Sequence, residues 1–234
     1  MGVPSDDLTR DVDAATSRLL DTAASLTDDD VRAPSILPGW TRGHVLTHIA
    51  RNADALVNLL GWAHGSREPM YGRGDARERD IEAGAGRPAD EQLADLRASA
   101  DRYTAALQTV PADAWDTVVE WRGGKLQPLH EIPWKRLVEV EVHHVDLGAG
   151  YSCEDWPDGF SAGLLDQLIQ GLPQRVEGAF TVHRKGDPEP PADQPRPVVT
   201  GSAAGLAGWL SGRTSGDDLT VVPSGELPHL PAWI

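Results

Sequence analysis

The segment from Arg136 to Gly148 reads Arg-Leu-Val-Glu-Val-Glu-Val-His-His-Val-Asp-Leu-Gly and puts two carboxylates and two imidazoles close together. Carboxylate oxygen and imidazole nitrogen both bind transition metals, so the cluster is a candidate metal site. On a helix, Glu139 and His143 stand four positions apart and project about 40° from each other, so both reach one ion while the valines pack inward. Solvated Glu–His pairs at this spacing are also common without an ion, and the pair alone does not define a site. Glu141 with His144 is the three-apart alternative of di-iron bundles, which need a second copy of that motif; the sequence lacks it. A third ligand must come from elsewhere. His48 lies beside Val45 and Ile49 on an apolar helical stripe and is predicted to face a bundle interior. The bland alternative for His48 is a buried histidine bonded to a carbonyl, and His44 competes because His44 and His48 also stand four apart. Two histidines and one carboxylate suit zinc with an open fourth position. Magnesium would take more oxygens, whereas nickel and iron accept the same ligand types.

The elements that must position these residues show two textures. Up to about residue 150 the chain reads as long helices. The first starts near Ser5, with Asp6 and Asp7 suiting its positive end, and carries Leu8, Val12, Ala15, Leu19 and Ala23 at helical spacing. Thr41 caps a second helix running to about His64, and Gly65 to Arg87 reads as a long polar, glycine-rich functional loop. A third helix follows Pro88. The metal-candidate segment carries a conflict, because Val138, Val140 and Val142 alternate with Glu139, Glu141 and His143 as in a strand. Pro133 before it and Gly148 and Gly150 after it favour a fourth helix. After Tyr151 the sequence turns richer in proline and glycine. A helix from Asp158 to about Gln174 is followed by a strand candidate at Ala179 to Arg184 and a linker from Pro188 to Pro197. A strand at Pro197 to Thr200, a helix capped by Ser202 and a strand at Leu219 to Val222 complete a small α+β region. The expected division is therefore 1–150 as a four-helix bundle and 151–234 as an α+β domain.

Composition narrows the function. A net charge of −15 argues against nucleic-acid binding, which wants a basic face. The same charge repels a dicarboxylate unless arginines receive it locally. No apolar run approaches the roughly 18–20 residues of a membrane span. Met1 to Arg10 carries no apolar leader, and the single cysteine, Cys153, forms no internal disulfide, so the expected compartment is the cytoplasm.

Several runs carry a family resemblance: Leu37-Pro-Gly-Trp-Thr-Arg-Gly-His44, Thr47-His-Ile-Ala50, Asn58-Leu-Leu-Gly-Trp-Ala63, Pro69-Met-Tyr71, Glu139 to Leu147 and Ser224-Gly-Glu-Leu-Pro228. With these the chain resembles, over nearly its whole length, the mycothiol-dependent maleylpyruvate isomerases of actinobacteria, within the wider DinB-like metal-binding proteins. The Gly-Trp-Thr and His-x-x-x-His run fixes only the superfamily; the Pro-Met-Tyr loop and the C-terminal region narrow it. The resemblance implies a DinB-like four-helix bundle followed by a small α+β, sterol-carrier-like domain. It places the metal ligands on His48, Glu139 and His143, which demotes His44, Glu141 and His144. It places a catalytic arginine on Arg213, beside metal-bound His48 in the catalytic role, and a cofactor-binding arginine on Arg77. Asp146 matches the Val-Asp-Leu motif, either supporting a ligand or ending the helix. His144 departs from the small residue expected there.

The implied activity is conversion of maleylpyruvate to fumarylpyruvate, with Zn²⁺ and mycothiol as cofactors and a small dicarboxylate as substrate. A cis double bond cannot rotate until it becomes transiently single. Addition of a thiolate does this, and a metal holding the sulfur would lower its pKa. Arg213 would receive a carboxylate or the developing enolate oxygen. Cys153 lies outside these motifs and reads as a small buried residue. Two other readings share the scaffold: transfer of mycothiol to another electrophile, and a non-catalytic metal-binding module.

Overall fold

The computed structural model describes residues 3–172, 176, 180–188, 196–223, 225–231 and 233. The chain divides into two compact units, Met1–Gly150 and Tyr151–Ile234.

Helix α1 (Asp6–Ala24) begins where the Ser5 hydroxyl accepts from the Leu8 amide, and Asp6 and Asp7 lie in its first turn. Such caps satisfy amide groups that have no partner inside the helix. A short α2 (Asp28–Arg32) follows, closed by a reciprocal cap between Thr27 and Asp30. Thr41 starts α3 (Arg42–Leu60), and here the His44 ring takes the place of the usual glutamate by accepting from the Thr41 amide. Helix α4 (Ala76–Ala85) interrupts the stretch expected to be loop, so the expectation of a continuous loop is corrected. Helix α5 (Ala89–Thr109) follows it closely. Strands β1 (Val118–Glu120) and β2 (Leu126–Pro128) form a small antiparallel hairpin, with Val119 opposite Gln127. Helix α6 (Ile132–Asp146) has Pro133 in its first turn, which settles the helix-or-strand conflict.

The four long helices close a ring in which α1 and α3 each pack against both α5 and α6. Val12, Ala15 and Leu19, Ile49 and Leu56, Leu96 and Tyr103, and Leu137 and Val140 fill the middle. From Arg136 to Leu147, every residue except Glu139 is buried. Helix α4 is fastened to α3 with little space between backbones. A Cβ on Gly43 would lie 2.2 Å from the Ala85 carbonyl oxygen, and one on Gly84 would lie 2.5 Å from Thr47 Cγ2. Buried Gln92 ties the join, its amide donating to Gly84 O at 2.8 Å and its carbonyl accepting from the Thr47 hydroxyl at 3.1 Å. This join carries Arg77, in the first turn of α4.

In the second unit, α7 (Asp158–Gly171) packs on α8 (Ala203–Leu210). Three strands, β3 (Thr181–Arg184), β4 (Val198–Gly201) and β5 (Thr220–Val222), form a sheet in sequence order. Strand β3 runs parallel to β4, with Thr181 opposite Val198, and β5 returns antiparallel. Ser202 caps α8 through the Gly205 amide. Cys153 is buried against Gly208, whose added Cβ would meet its Sγ at 3.0 Å. The chain is thus α+β, with its first unit chiefly helical. Gln174, Ala179, Ser224 and most of the Pro188–Pro197 linker lie outside the described residues.

Candidate metal centre

The site lies between α3, which supplies His48, and α6, which supplies Glu139 and His143. One ligand atom from each converges in a group spanning less than 4.8 Å. His48 Nε2 is 3.0 Å from His143 Nε2 and 3.2 Å from Glu139 Oε2, and His143 Nε2 is 3.5 Å from that oxygen. Ligands held about 2.0–2.1 Å from a tetrahedral zinc stand roughly 3.3 Å apart. The three observed separations bracket that value.

The electrostatics agree. Glu139 Oε2 is shut off from solvent and meets only the two imidazoles, at 3.2 and 3.5 Å, without a well-formed hydrogen bond, a costly arrangement for a carboxylate. Burial pushes the Glu139 carboxyl up, but the two adjoining imidazoles more than reverse this and hold it well below the usual carboxylate range. Its side chain keeps 30% exposure, so the cluster is open on one side, as a catalytic site requires. His48 is lowered to about 4, first by burial and then by His143, and is neutral, the state in which imidazole binds metal. For His143 burial acts downwards, but Asp146 and Glu139 overcome it and raise the ring to about 9. The His143 Nδ1 is 2.8 Å from Asp146 Oδ2. A carboxylate there fixes the ring so that Nε2 faces His48 and Glu139, as it would for a ligand. Asp146 also ends the helix usefully, its carbonyl accepting from the Ile36 amide. Asp146 thus holds His143 through its side chain and Ile36 through its backbone.

Arg77 approaches the same centre from behind His48, with its NH2 3.1 Å from His48 Nδ1. A guanidinium only donates, so this contact leaves the proton of neutral His48 on Nε2. Ligation through Nε2 needs the other tautomer and sends the guanidinium elsewhere. Glu78 Oε1, 3.3 Å from Arg77 NH1, and the Tyr71 ring, 5.8 Å away, are within its reach. With that one change the donor set fits a divalent ion.

The competing histidines have other work. The His44 Nδ1 serves the Thr41 cap, and its Nε2 is 3.2 Å from Glu82. His144 is buried with Nε2 2.8 Å from the Thr22 hydroxyl, and Glu141 accepts from Arg18 at 2.5 Å. Trp40, from the Gly-Trp-Thr run, sets its ring edge-to-face on His48 at 5.7 Å. Arg213 belongs to the second unit, where its guanidinium donates to Ser211 O at 2.7 Å and lies 5.9 Å from the Trp233 ring. Sequence reasoning missed Arg136. It is 1% exposed, stands one turn before Glu139, and donates to Ile49 O and Asn52 Oδ1, both at 2.9 Å. A charged residue inside an apolar stripe was the available signal.

Fold and site together define a class: a helical bundle holding a three-ligand candidate metal centre between two helices, continued by an α+β unit. The family model for the mycothiol maleylpyruvate isomerase N-terminal domain matches residues 12–148, and that for the MDMPI C-terminal domain matches 153–232. Two solved structures are similar over 98% of this chain and 97% of theirs, each at 30% identity. One is a mycothiol-dependent maleylpyruvate isomerase, with a TM-score of 0.86, and the other a histidine-to-alanine mutant of such an isomerase, with 0.88. No curated protein matches the chain. The chain belongs to the mycothiol-dependent maleylpyruvate isomerase family.

Proposed function

We propose that this protein is a cytoplasmic enzyme that isomerises maleylpyruvate to fumarylpyruvate with mycothiol and a zinc ion. The observation that carries the reading is the convergence of His48, Glu139 and His143 around a buried, unbonded carboxylate oxygen, in a chain matched end to end by this family. His48, Glu139 and His143 would hold the ion, and Asp146 would keep the His143 ring turned towards it. Bound there, the zinc and mycothiol supply a thiolate at neutral pH, the nucleophile that makes a conjugated double bond transiently single. His48 and His143 are themselves buried, so the cluster meets solvent on the Glu139 side alone.

The remaining demand is charge. A dianionic substrate meets a chain of net charge −15, so guanidinium groups must receive it locally. Arg77 stands beside the ligand cluster and is assigned to binding. Arg213 is assigned to a substrate carboxylate or the developing enolate oxygen, where a planar fork suits planar oxygens. Cys153, buried against Gly208, is left a packing role.

The deciding experiment follows maleylpyruvate absorbance with and without added mycothiol. Turnover only with the thiol, without its consumption, supports isomerisation. Stoichiometric consumption of thiol would make the protein a transferase, and no change would leave a binding module. Arg213→Lys keeps the charge and loses the fork, and is expected to lower kcat by at least about 10²-fold. Near-normal turnover in that variant would remove Arg213 from the chemistry.

A further inference from the structure

Beside the metal centre the first unit holds a second feature that the reaction does not account for. A cleft of about 320 Å³ lies between the segment after α3 and the tip of the β1–β2 hairpin. Two indoles line it, Trp62 from the first segment and Trp121 from the hairpin. Its volume is at the small end of the range for small-molecule sites, about 300–1,000 Å³.

Three guanidiniums, Arg67, Arg77 and Arg122, and two carboxylates, Glu78 and Glu120, line the cleft and come close to balancing in charge. Glu78 Oε1 is 2.8 Å from Arg122 NH2 and 3.3 Å from Arg77 NH1, a row of cation, anion and cation. Across from it Arg67 lies over the Trp62 ring at 5.0 Å, and the Trp62 Nε1 donates to Glu68 O at 2.8 Å. Such a lining offers many donors and acceptors with little uncompensated charge, and so suits a neutral ligand rich in hydroxyls rather than a dianion. The indoles offer flat apolar faces for the C–H faces of saturated rings. At the hairpin tip Gly123 and Gly124 have φ of 80° and 79°, with nothing within 4 Å of an added Cβ, so backbone lies open on that side. The cleft adjoins the metal centre through one shared residue. Arg77 lines it, yet the other end of the same guanidinium is 3.1 Å from His48.

Mycothiol has the matching shape: a reactive cysteine at one end and a neutral, polyhydroxylated glucosamine–inositol body at the other. We propose that the cleft walled by Trp62 and Trp121 holds this polyol body while the sulfur reaches the metal centre past Arg77. The proposal rests on the mycothiol-dependent reading above. It assigns to Trp62, Trp121 and Arg122 the recognition of the cofactor's sugar end, a part that takes no share in the chemistry.

The test compares two thiols on the zinc-loaded full chain, mycothiol and N-acetylcysteine, the second lacking the polyol. The wild type is expected to favour mycothiol by KM. In Trp62→Ala and Trp121→Ala that preference should collapse by about tenfold, through a raised KM for mycothiol. Arg122→Ala, altering a side chain with 63% exposure and so without risk to folding, should lower it several-fold. Direct titration of N-acetylglucosaminyl-inositol, neutral like the cofactor's own polyol end and followed by tryptophan fluorescence, should saturate in the wild type and fail in the Trp121→Ala variant. An unchanged thiol preference in all three variants would overturn the assignment, as would a raised KM for maleylpyruvate in place of the thiol. If the wild type shows no mycothiol-dependent turnover, the functional reading fails, and the titration with the thiol-free polyol still decides the cleft.

Discussion

Helix α6 presents two Glu–His pairs to two neighbours, and the pairs have opposite fates. Towards α3 it offers Glu139 and His143; towards α1 it offers Glu141 and His144. On the α1 side, Arg18 brings a cation to Glu141 and Thr22 brings a hydroxyl to His144. On the α3 side the facing residue is another imidazole, His48, and the Glu139 oxygen is left without a hydrogen bond. Residue type is the same on both faces. What differs is whether the opposite helix supplies the missing positive charge. A pair met by arginine is closed within the protein, whereas a pair met by histidine gathers three side chains that could hold a metal ion.

That contrast can be broken by substitution, and the largest expected effect is at His48. His48→Ala should purify without the one zinc per chain expected of the wild type, and without activity, while His144→Ala keeps its zinc; elemental analysis of both decides. Full occupancy in the His48 variant would move the site to the other face.

A second difference is in protons. With the ion stripped by chelator, His143 is held up at about 9 against 6.5 unperturbed. Its imidazolium then contributes stability that is fully present below pH 6.5 and is lost as pH rises through 9. An ion must displace that proton from Nε2. Zinc affinity should therefore climb by about tenfold per pH unit up to that point, with about one proton released per ion. Calorimetry in two buffers of different ionisation heat measures the release, and an affinity indifferent to pH would count against His143 as a ligand.

Asp146→Asn keeps the size of the side chain but weakens its hold on His143 Nδ1. Metal affinity should fall by about 10- to 100-fold, read by competition with a chromophoric chelator. An unaltered affinity would reduce Asp146 to its helix-ending bond with Ile36. The smallest effect belongs to the closed face. Glu141→Gln should leave metal content intact and cost about 2 kcal/mol of stability in urea, between the values for exposed and buried ion pairs because Arg18 is partly solvated. A loss of zinc there would erase the distinction between the faces.

Much of this was legible in the sequence. Ser5, Thr41 and Ser202 marked helix starts because capping is local chemistry, and the four-apart spacing of Glu139 and His143 pointed to one ion. The alternating valines of α6 mimic a strand because the helix is buried on more than one side, so polar residues facing both α1 and α3 interrupt the apolar pattern. Helix α4 was hidden for a related reason. Its ten residues, Ala76–Ala85, bury only Ile81, Gly84 and Ala85, and packing on α3 rather than its own pattern holds it. The partners of Glu141 and His144 stand 123 and 122 positions away, beyond any rule of spacing. The resemblance to a known family, not spacing, chose His48 over His44. The structure adds that His44 is engaged in capping its helix.

The tight seam between α3 and α4 has a consequence for anyone reading mutational libraries of this protein. A single methyl group at position 43 must push the Ala85 carbonyl away by close to an ångström. The helix that moves is the one bearing Arg77. An alanine there, with no polar atom and no contact with any ligand, will score in an activity screen like a lesion of the catalytic centre, and will be silent in any assay of metal content.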